Sequence, residues 1–393
     1  MGEILVNTTT AGIQQQPAVA GLLQSHYLVA WQDASAFSVK GQFLRADGVR
    51  FREEFVVNEP GPDPQNTDRR FPAAASTGTG PVVVWTELAV NPPGPRPHVK
   101  LQRFDLEARK AGPEIRVSTD DVDPSQRPSV TSTIDGGCLV VWADARSDRR
   151  IRGQRFRPDG SKAGDEFTVN ATDGFHENPL VKRLAGAHVV LWRRDPSAVA
   201  GGAMILRLLD FEGTPTTDEL VPDLSGFRGD RAITLLDDGR FVIAHVRSLG
   251  PSDLGVERST VVASVFRPNG TREASLSAVD GDGVNASSPA LLQLPNHQFV
   301  LSWVQKSAET FTTVPTVRAK VFDADQGTVA GEIEVSDGTA EDRFQLAGAS
   351  LLDPAVGPRA LLAWADRGGA PTDPSDSAVR ARALTLNPFG PLA

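Results

Sequence analysis

The chain has only one cysteine in 393 residues, Cys138, so an internal disulfide is excluded. The surrounding GGCLVVW reads as a strand, where a lone thiol acts as a small buried hydrophobe. No apolar run approaches the roughly 18 residues that a spanning helix needs, so no membrane insertion is expected. The opening MGEILVNTTT lacks both a basic region and an apolar stretch, so no signal peptide is visible. As written the chain reads as cytoplasmic, or as secreted if a leader has been removed. Positive charge is also short: the net charge is −9 and the pI near 5.3. That excludes the basic footprint needed to neutralise nucleic-acid phosphates, and it argues against docking on anionic membranes. Zinc-ligand spacing, a P-loop, a dinucleotide fingerprint and G-x-S-x-G are all missing. Lysine is scarce beside arginine, which reads as GC-rich, bacterial coding.

Glycine (36) and proline (29) are plentiful, as many short strands joined by turns require. All six tryptophans end strands of one kind: LVAWQD at Trp31, VVVWTE at Trp85, LVVWAD at Trp142, VVLWRR at Trp192, VLSWVQ at Trp303 and LLAWAD at Trp364. A further copy, FVIAHVR, puts His245 in the tryptophan's place. The spacing of roughly 50 to 60 residues is that of stacked structural units.

One unit, residues 127–170, shows the pattern. PSVTSTI alternates as a first strand, and Asp135-Gly136-Gly137 supplies a hairpin turn. CLVVWAD is a continuous apolar strand, as expected when both faces are covered. IRGQRF is a third strand, Asp159-Gly160 turns the chain, and DEFTVN is a fourth. The expected fold class is therefore all-β: a single seven-bladed β-propeller domain of four-stranded antiparallel blades. The blades fall at 15–58, 70–118, 127–170, 178–222, 230–278, 288–337 and 346–387. The last unit lacks a fourth strand, while EILVN at 3–7 is a fourth strand with no others before it. The N-terminal strand is expected to close the last blade and remove an exposed edge.

A tryptophan in every unit most simply fills the space between neighbouring sheets; a ring of sugar-stacking aromatics is the alternative. At His245, an imidazole hydrogen-bonded inside the core is expected.

The loops joining strands two to three and four to one are long and varied, whereas those on the other face are short and regular, so the site is expected on the loop-rich face. Residues just before each first strand should ring a channel mouth there. The ligand-binding candidates are Arg69, Arg70, Arg127, His176, Glu177, Asp230 and Arg343. Arginine forks suit carboxylate or phosphate. His176 and Glu177 are the catalytic candidates, because proton transfer needs a group titrating near neutrality. Cofactors are not expected. Calcium is the one possibility weighed, since Asp280-Gly281-Asp282-Gly283 with Asn285, and Asp120-Asp121 with Asp123, resemble fragments of oxygen-ligand loops.

The consensus E-F-x-V-N … D-G-G-x-x-V-V-W-x-D … G-Q-R-F-x-x-D-G resembles the degenerate propeller repeats of large bacterial secreted and surface proteins. The resemblance covers nearly the whole chain and implies the fold, but carries no catalytic residues with it. The first expectation is a monomeric, non-enzymatic, lectin-like protein binding one polar or anionic small molecule or glycan at the mouth. The alternative is an enzyme, a lyase, hydrolase or cyclase, using His176, Glu177 and Arg127. A protein-docking platform is the third.

Overall fold

The computed structural model describes residues 2–385 except 23–25, 62–65, 92–95, 146–148, 195–202, 225, 253–254, 279–283, 308–313, 330, 338–341, 354–356 and 368–376. All the regular structure among them is strand, and no helix is long and apolar enough to cross a membrane. β2 (Gln14–Leu22), β3 (His26–Asp33), β4 (Ser38–Arg45) and β5 (Arg50–Val56) form one antiparallel sheet in chain order. β6 (Thr67–Thr77), β7 (Gly80–Ala89), β8 (His98–Arg103) and β9 (Ile115–Arg116) repeat it. So do β10 (Ser129–Ser132), β11 (Cys138–Ala143), β12 (Ile151–Phe156) and β13 (Phe167–Thr168).

β14 (His176–Arg183), β15 (His188–Arg194) and β16 (Ala203–Leu209) make a three-stranded sheet, with a lone bridge from Leu206 to Leu220 in place of the expected fourth strand at Asp218. A nine-stranded sheet contains two such runs. One is β17 (Phe227–Leu235), β18 (Phe241–Pro251), β19 (Glu257–Phe266) and β20 (Arg272–Ser277); the other is β21 (Val284–Gln293), β22 (Gln298–Ser307), β23 (Thr316–Asp323), β24 (Gly327–Thr328) and β25 (Ile333–Glu334). They are joined by a single parallel bridge between Ser259 and Asn285. The last sheet is β26 (Asp342–Asp353), β27 (Gly357–Arg367) and β28 (Ala378–Thr385), completed by β1 (Ile4–Leu5) on the outer edge of β28.

The first strands lie side by side around an axis. β2 contacts β6, β6 contacts β10, β10 contacts β14, β14 contacts β17, β17 contacts β21, β21 contacts β26, and β26 returns to β2. Apolar clusters fill the seams between successive sheets. Six of them hold one tryptophan each, and none of the six indoles is more than 2% exposed. The seam between β14–β16 and β17–β20 has Phe241, Ile243 and Phe266 instead. His245 is buried beside it, and the hydrogen bond expected of it is not made: neither ring nitrogen has a partner. Burial, reinforced by Arg247 and Arg272, lowers its pKa to about 4. Cys138 lies in β11, its thiol pushed up to about 12 by burial, as an inert hydrophobe would be.

The repeated fourth-strand motif holds the sheets together. Its Asn or Ser caps the third strand: Asn58 Oδ1 accepts from Val39 N–H at 2.9 Å, Asn170 Oδ1 from Ile151 N–H at 2.8 Å, and Asn7 Oδ1 from Val379 N–H at 2.9 Å. Its Glu reaches the preceding sheet. Glu54 accepts from the Thr8 and Thr9 amides, Glu114 from Glu59, Glu166 from Thr119, and Glu219 from Ala171 and Thr172. Burial alone would raise the Glu54 pKa, but the hydrogen bonds from Thr9 and Thr8 and from Lys40 outweigh it and hold it at about 2.

Candidate functional site

The residue before each first-strand proline should be extended, because the proline ring crowds the helical region. Here the backbone does something else. Gln16, Phe71, Asn178 and Ser288 precede prolines, yet have φ of 56°, 56°, 50° and 48°; Gln345 and Gly229 match them at 56° and 69°. Each sits at a register shift in its first strand, such as Gln15 to Ala18 in β2 and Glu177 to Leu180 in β14. Apart from β10, which starts after Pro128 without a bulge, the first strands thus begin before this position, and a bulge at the mouth end turns one residue of each toward the axis. Left-handed non-glycine backbone is costly and survives only where neighbours enforce it. The neighbours do so around the ring. Gln345 Oε1 accepts from the Gln16 amide at 2.7 Å, Gln16 Oε1 from the Phe71 amide at 2.8 Å, and Gln126 Oε1 from the Asn178 amide at 2.9 Å.

Inside this ring lies a small depression lined by Gln16, Phe71, Arg127, Asp230, Ser288 and Gln345 among others. It continues sideways into a cleft of about 340 Å³, where Phe71, Arg127, Asn178, Arg193, Asp230 and Arg231 converge. Arg127 is exposed and lies over the Phe71 ring, 5.5 Å from its centroid. Arg193 Nη1 is 3.2 Å from Glu177 Oε1, and its Nε is buried without a partner. Arg231 Nε and Nη2 are likewise buried and unpartnered. Burial, with Arg193 and Arg127 adding to it, brings the Arg231 pKa down to about 10 against the opposing pull of Asp230 and Glu177. It stays charged at neutral pH. Asp230 Oδ2 accepts from Ser288 Oγ at 3.2 Å, and Gln126 Nε2 lies 3.5 Å from Glu177 Oε2. The cleft therefore offers three guanidinium groups, one lining carboxylate in Asp230, a second in Glu177 behind Arg193, and an aromatic face. That arrangement can take an anionic group and move a proton nearby.

Of the sequence candidates, Arg127 and Asp230 line the mouth; Glu177 lines neither part of it and reaches it only through its pair with Arg193, and the others lie elsewhere. Arg69 is 2% exposed; its Nε pairs with Glu87 at 2.9 Å and its Nη1 donates to the carbonyls of Phe37 and Thr67. Arg343 is equally buried and donates to the carbonyls of Pro315 and Asp337. Arg70 pairs with Asp68 and lines neither part of the mouth. His176 is fully buried: its Nε2 faces the Thr172 carbonyl at 2.9 Å and its Nδ1 accepts from Trp192 Nε1 at 2.9 Å. Burial lowers its pKa, so the ring is a neutral clamp on the tryptophan.

Arg193 and Arg231 were not legible as site residues. The cross-strand pairing of Glu177 with Arg193 gives the rule that could have found the first, since in the bulged sheets the residue after the tryptophan stands beside the residue before the bulge, as Gln32 stands beside Gln15. Of the calcium candidates, 280–283 lie outside the described residues. Asn285 Oδ1 accepts from Ser259 Oγ at 2.8 Å, while Asp121 pairs with Arg96 and Asp123 with Arg149, both at 3.1 Å. Among the described residues no cluster of potential metal ligands occurs.

The radial all-β arrangement defines the class, a β-propeller. No protein-family model matches the chain, and no curated protein sequence matches it. Solved structures do resemble it in fold. The polysaccharide lyase Uly1 aligns over 97% of this chain and 91% of its own, with a TM-score of 0.52 at 10% identity. A leech intramolecular trans-sialidase, complexed with 2,7-anhydro-Neu5Ac, aligns over 78% of this chain and 67% of its own, with a TM-score of 0.52 at 10% identity. AofleA from Arthrobotrys oligospora aligns over 84% and 89%, with a TM-score of 0.50 at 11% identity. Likeness at this identity concerns the fold alone.

Proposed function

We propose that the chain is a seven-bladed propeller with one ligand site, that the site takes a carboxylated saccharide, and that the protein acts on it as an enzyme of the hydrolase or lyase type. The blade count rests on the closed path of first strands from β2 back to β2. The ligand class rests on one observation: Arg127, Arg193 and Arg231 converge on a single cleft, and Arg193 and Arg231 carry buried guanidinium nitrogens without partners. Arginine forks match carboxylates in geometry as well as charge, and the Phe71 ring supplies a face for a sugar's apolar side. The neighbouring sheets do not repeat this set, which favours one site over a ring of equivalent lectin sites.

Catalysis is assigned to Glu177 as proton acceptor, with Asp230 the second carboxylate, held by Ser288. His176 is proposed as part of the frame. That a polysaccharide lyase and an intramolecular trans-sialidase are built on this fold lends the enzymatic reading a precedent. Glu177 is already paired with Arg193, and this favours a second reading, binding without turnover. A panel of uronate- and sialate-bearing oligosaccharides separates the two. Arg127→Ala should weaken binding and Arg157→Ala should not. If Glu177→Gln binds normally but loses turnover, the enzyme stands; no binding by the wild-type protein to any acidic saccharide would sink both readings.

A further inference from the structure

The mouth is two spaces with one wall in common. Phe71, Arg127, Asp230 and Arg231 line both the depression on the axis and the cleft beside it. The rest of the cleft adds a further charge, Arg193. What the depression does not share is uncharged throughout: Gln16, Ser288 and Gln345 among three prolines and Leu346. Two of the charges in the common wall come from β17, whose bulge is one residue longer than those of the other bulged strands. The pairs Gln15–Gln32 and Ala18–Ala30 leave two residues of β2 opposite one of β3. The pairs Arg228–Val246 and Arg231–His245 leave two residues of β17 opposite none of β18. Asp230 and Arg231 thus fill the stretch that Pro17, Pro72, Pro179 or Pro289 fills alone elsewhere.

The two glutamines are oriented by the ring itself. A backbone N–H must meet an acceptor, so Gln345 Oε1 turns to the Gln16 N–H at 2.7 Å and Gln16 Oε1 to the Phe71 N–H at 2.8 Å. Each side chain is left with its NH2 group, and neither Nε2 makes a hydrogen bond among the described residues. The prolines bring apolar rings and no N–H. Spare amide donors over apolar rings, with no charge outside the common wall, match the mixed hydroxyl and C–H surface of a neutral sugar. We propose that the depression is a second subsite, seating the hydroxyl-bearing edge of an uncharged sugar joined to the acidic one in the cleft. This rests on the mouth taking an acidic saccharide, and it adds the order of the units. The acidic unit lies by Arg127, Arg193 and Arg231, the neutral unit on the axis beside Gln16 and Gln345. The linkage between them then falls at the common wall, against Asp230.

Calorimetric titration of two pairs of sugars tests the second subsite. One pair is sialic acid and sialyllactose; the other is glucuronic acid and a disaccharide of glucuronic acid with N-acetylglucosamine. In at least one pair the longer sugar should bind the wild-type protein about tenfold tighter than the acidic unit alone, the gain expected of two added hydrogen bonds. Gln345→Glu and Gln16→Glu keep an oxygen for the backbone N–H and remove the NH2 group. Each should melt near the wild-type temperature and lose most of the longer sugar's advantage, while the acidic unit's own affinity changes less. Equal affinity of long and short sugars for the wild-type protein overturns the subsite and leaves the acidic-saccharide reading standing. No binding of any of the four overturns both. An equal loss for long and short sugars in the glutamate variants makes the effect one of charge repulsion and overturns the subsite. Where a variant fails to fold, the wild-type comparison decides.

Discussion

Glu3 and Asp337 clasp each other across 334 positions of sequence: Glu3 Oε2 accepts from the Asp337 N–H at 2.9 Å, and the Glu3 N–H donates to Asp337 Oδ2 at 3.1 Å. This is the same Glu-to-preceding-sheet contact that joins the other sheets, made here by the N-terminal strand. Asn7 completes it by capping Val379 as Asn58 caps Val39. Removal of residues 1–7 should therefore cost both the outer strand of the last sheet and its tie to the sheet before. The melting temperature should fall and self-association appear by light scattering, because β28 then presents a free edge. A truncated chain that stays monomeric with an unchanged melting temperature contradicts this account.

Trp142 fills the seam between the β6–β9 and β10–β13 sheets. Trp142→Ala should lose about 3 to 5 kcal/mol, the usual range for truncating a buried large aromatic. Ligand affinity at the mouth, measured below the lowered melting temperature, should be unaffected. Lost affinity with normal stability would instead make the indoles a binding surface.

His245 should make the protein acid-sensitive. Its folded pKa of about 4 lies below the ordinary value of 6.5, so the unfolded chain takes up the proton first. Stability is intact above pH 6.5 and declines as the pH falls toward 4, by on the order of 3 kcal/mol for this group. His245→Phe should flatten that part of the curve, while His176 and His188, also held low, keep some of the slope. Urea denaturation at pH 7.5 and pH 4.5 gives the comparison; equal pH sensitivity in both proteins would remove His245 from the explanation.

Phe71 occupies left-handed backbone and carries Arg127 over its ring. Phe71→Asn suits that backbone better and deletes the aromatic face. Stability should hold or rise by some tenths of a kcal/mol, while affinity for an acidic saccharide falls. Denaturation and calorimetry on the same variant separate the two effects.

The seams and turns were written plainly in the sequence, because each repeats. Val-Val-Trp marks what fills a seam, and Gly160, at φ of 89°, marks a turn only glycine makes easily. The Glu and Asn of the fourth strands also repeat, but read as ordinary strand residues, since their partners lie in another repeat. Of the candidate residues, Arg127 and Asp230 line the mouth, and Glu177 stands behind Arg193. Arg69 was misplaced because strand side chains alternate: its neighbour Arg70 faces one way, and Arg69 runs back to Glu87. Arg193 and Arg231 emerge only from register and from bulges that the prolines, by ordinary rules, argue against.

Those bulges have a consequence for how such a protein changes over generations. At the mouth the kink sets single residues of the bulged strands on the ring, among them Gln16, Phe71, Asn178, Ser288 and Gln345, apart from the tryptophan seams and the Glu and Asn ties. Selection can therefore exchange the hub chemistry one spoke at a time, trading Phe71 or Asn178 for another residue, while the rim that holds the wheel together stays as it was.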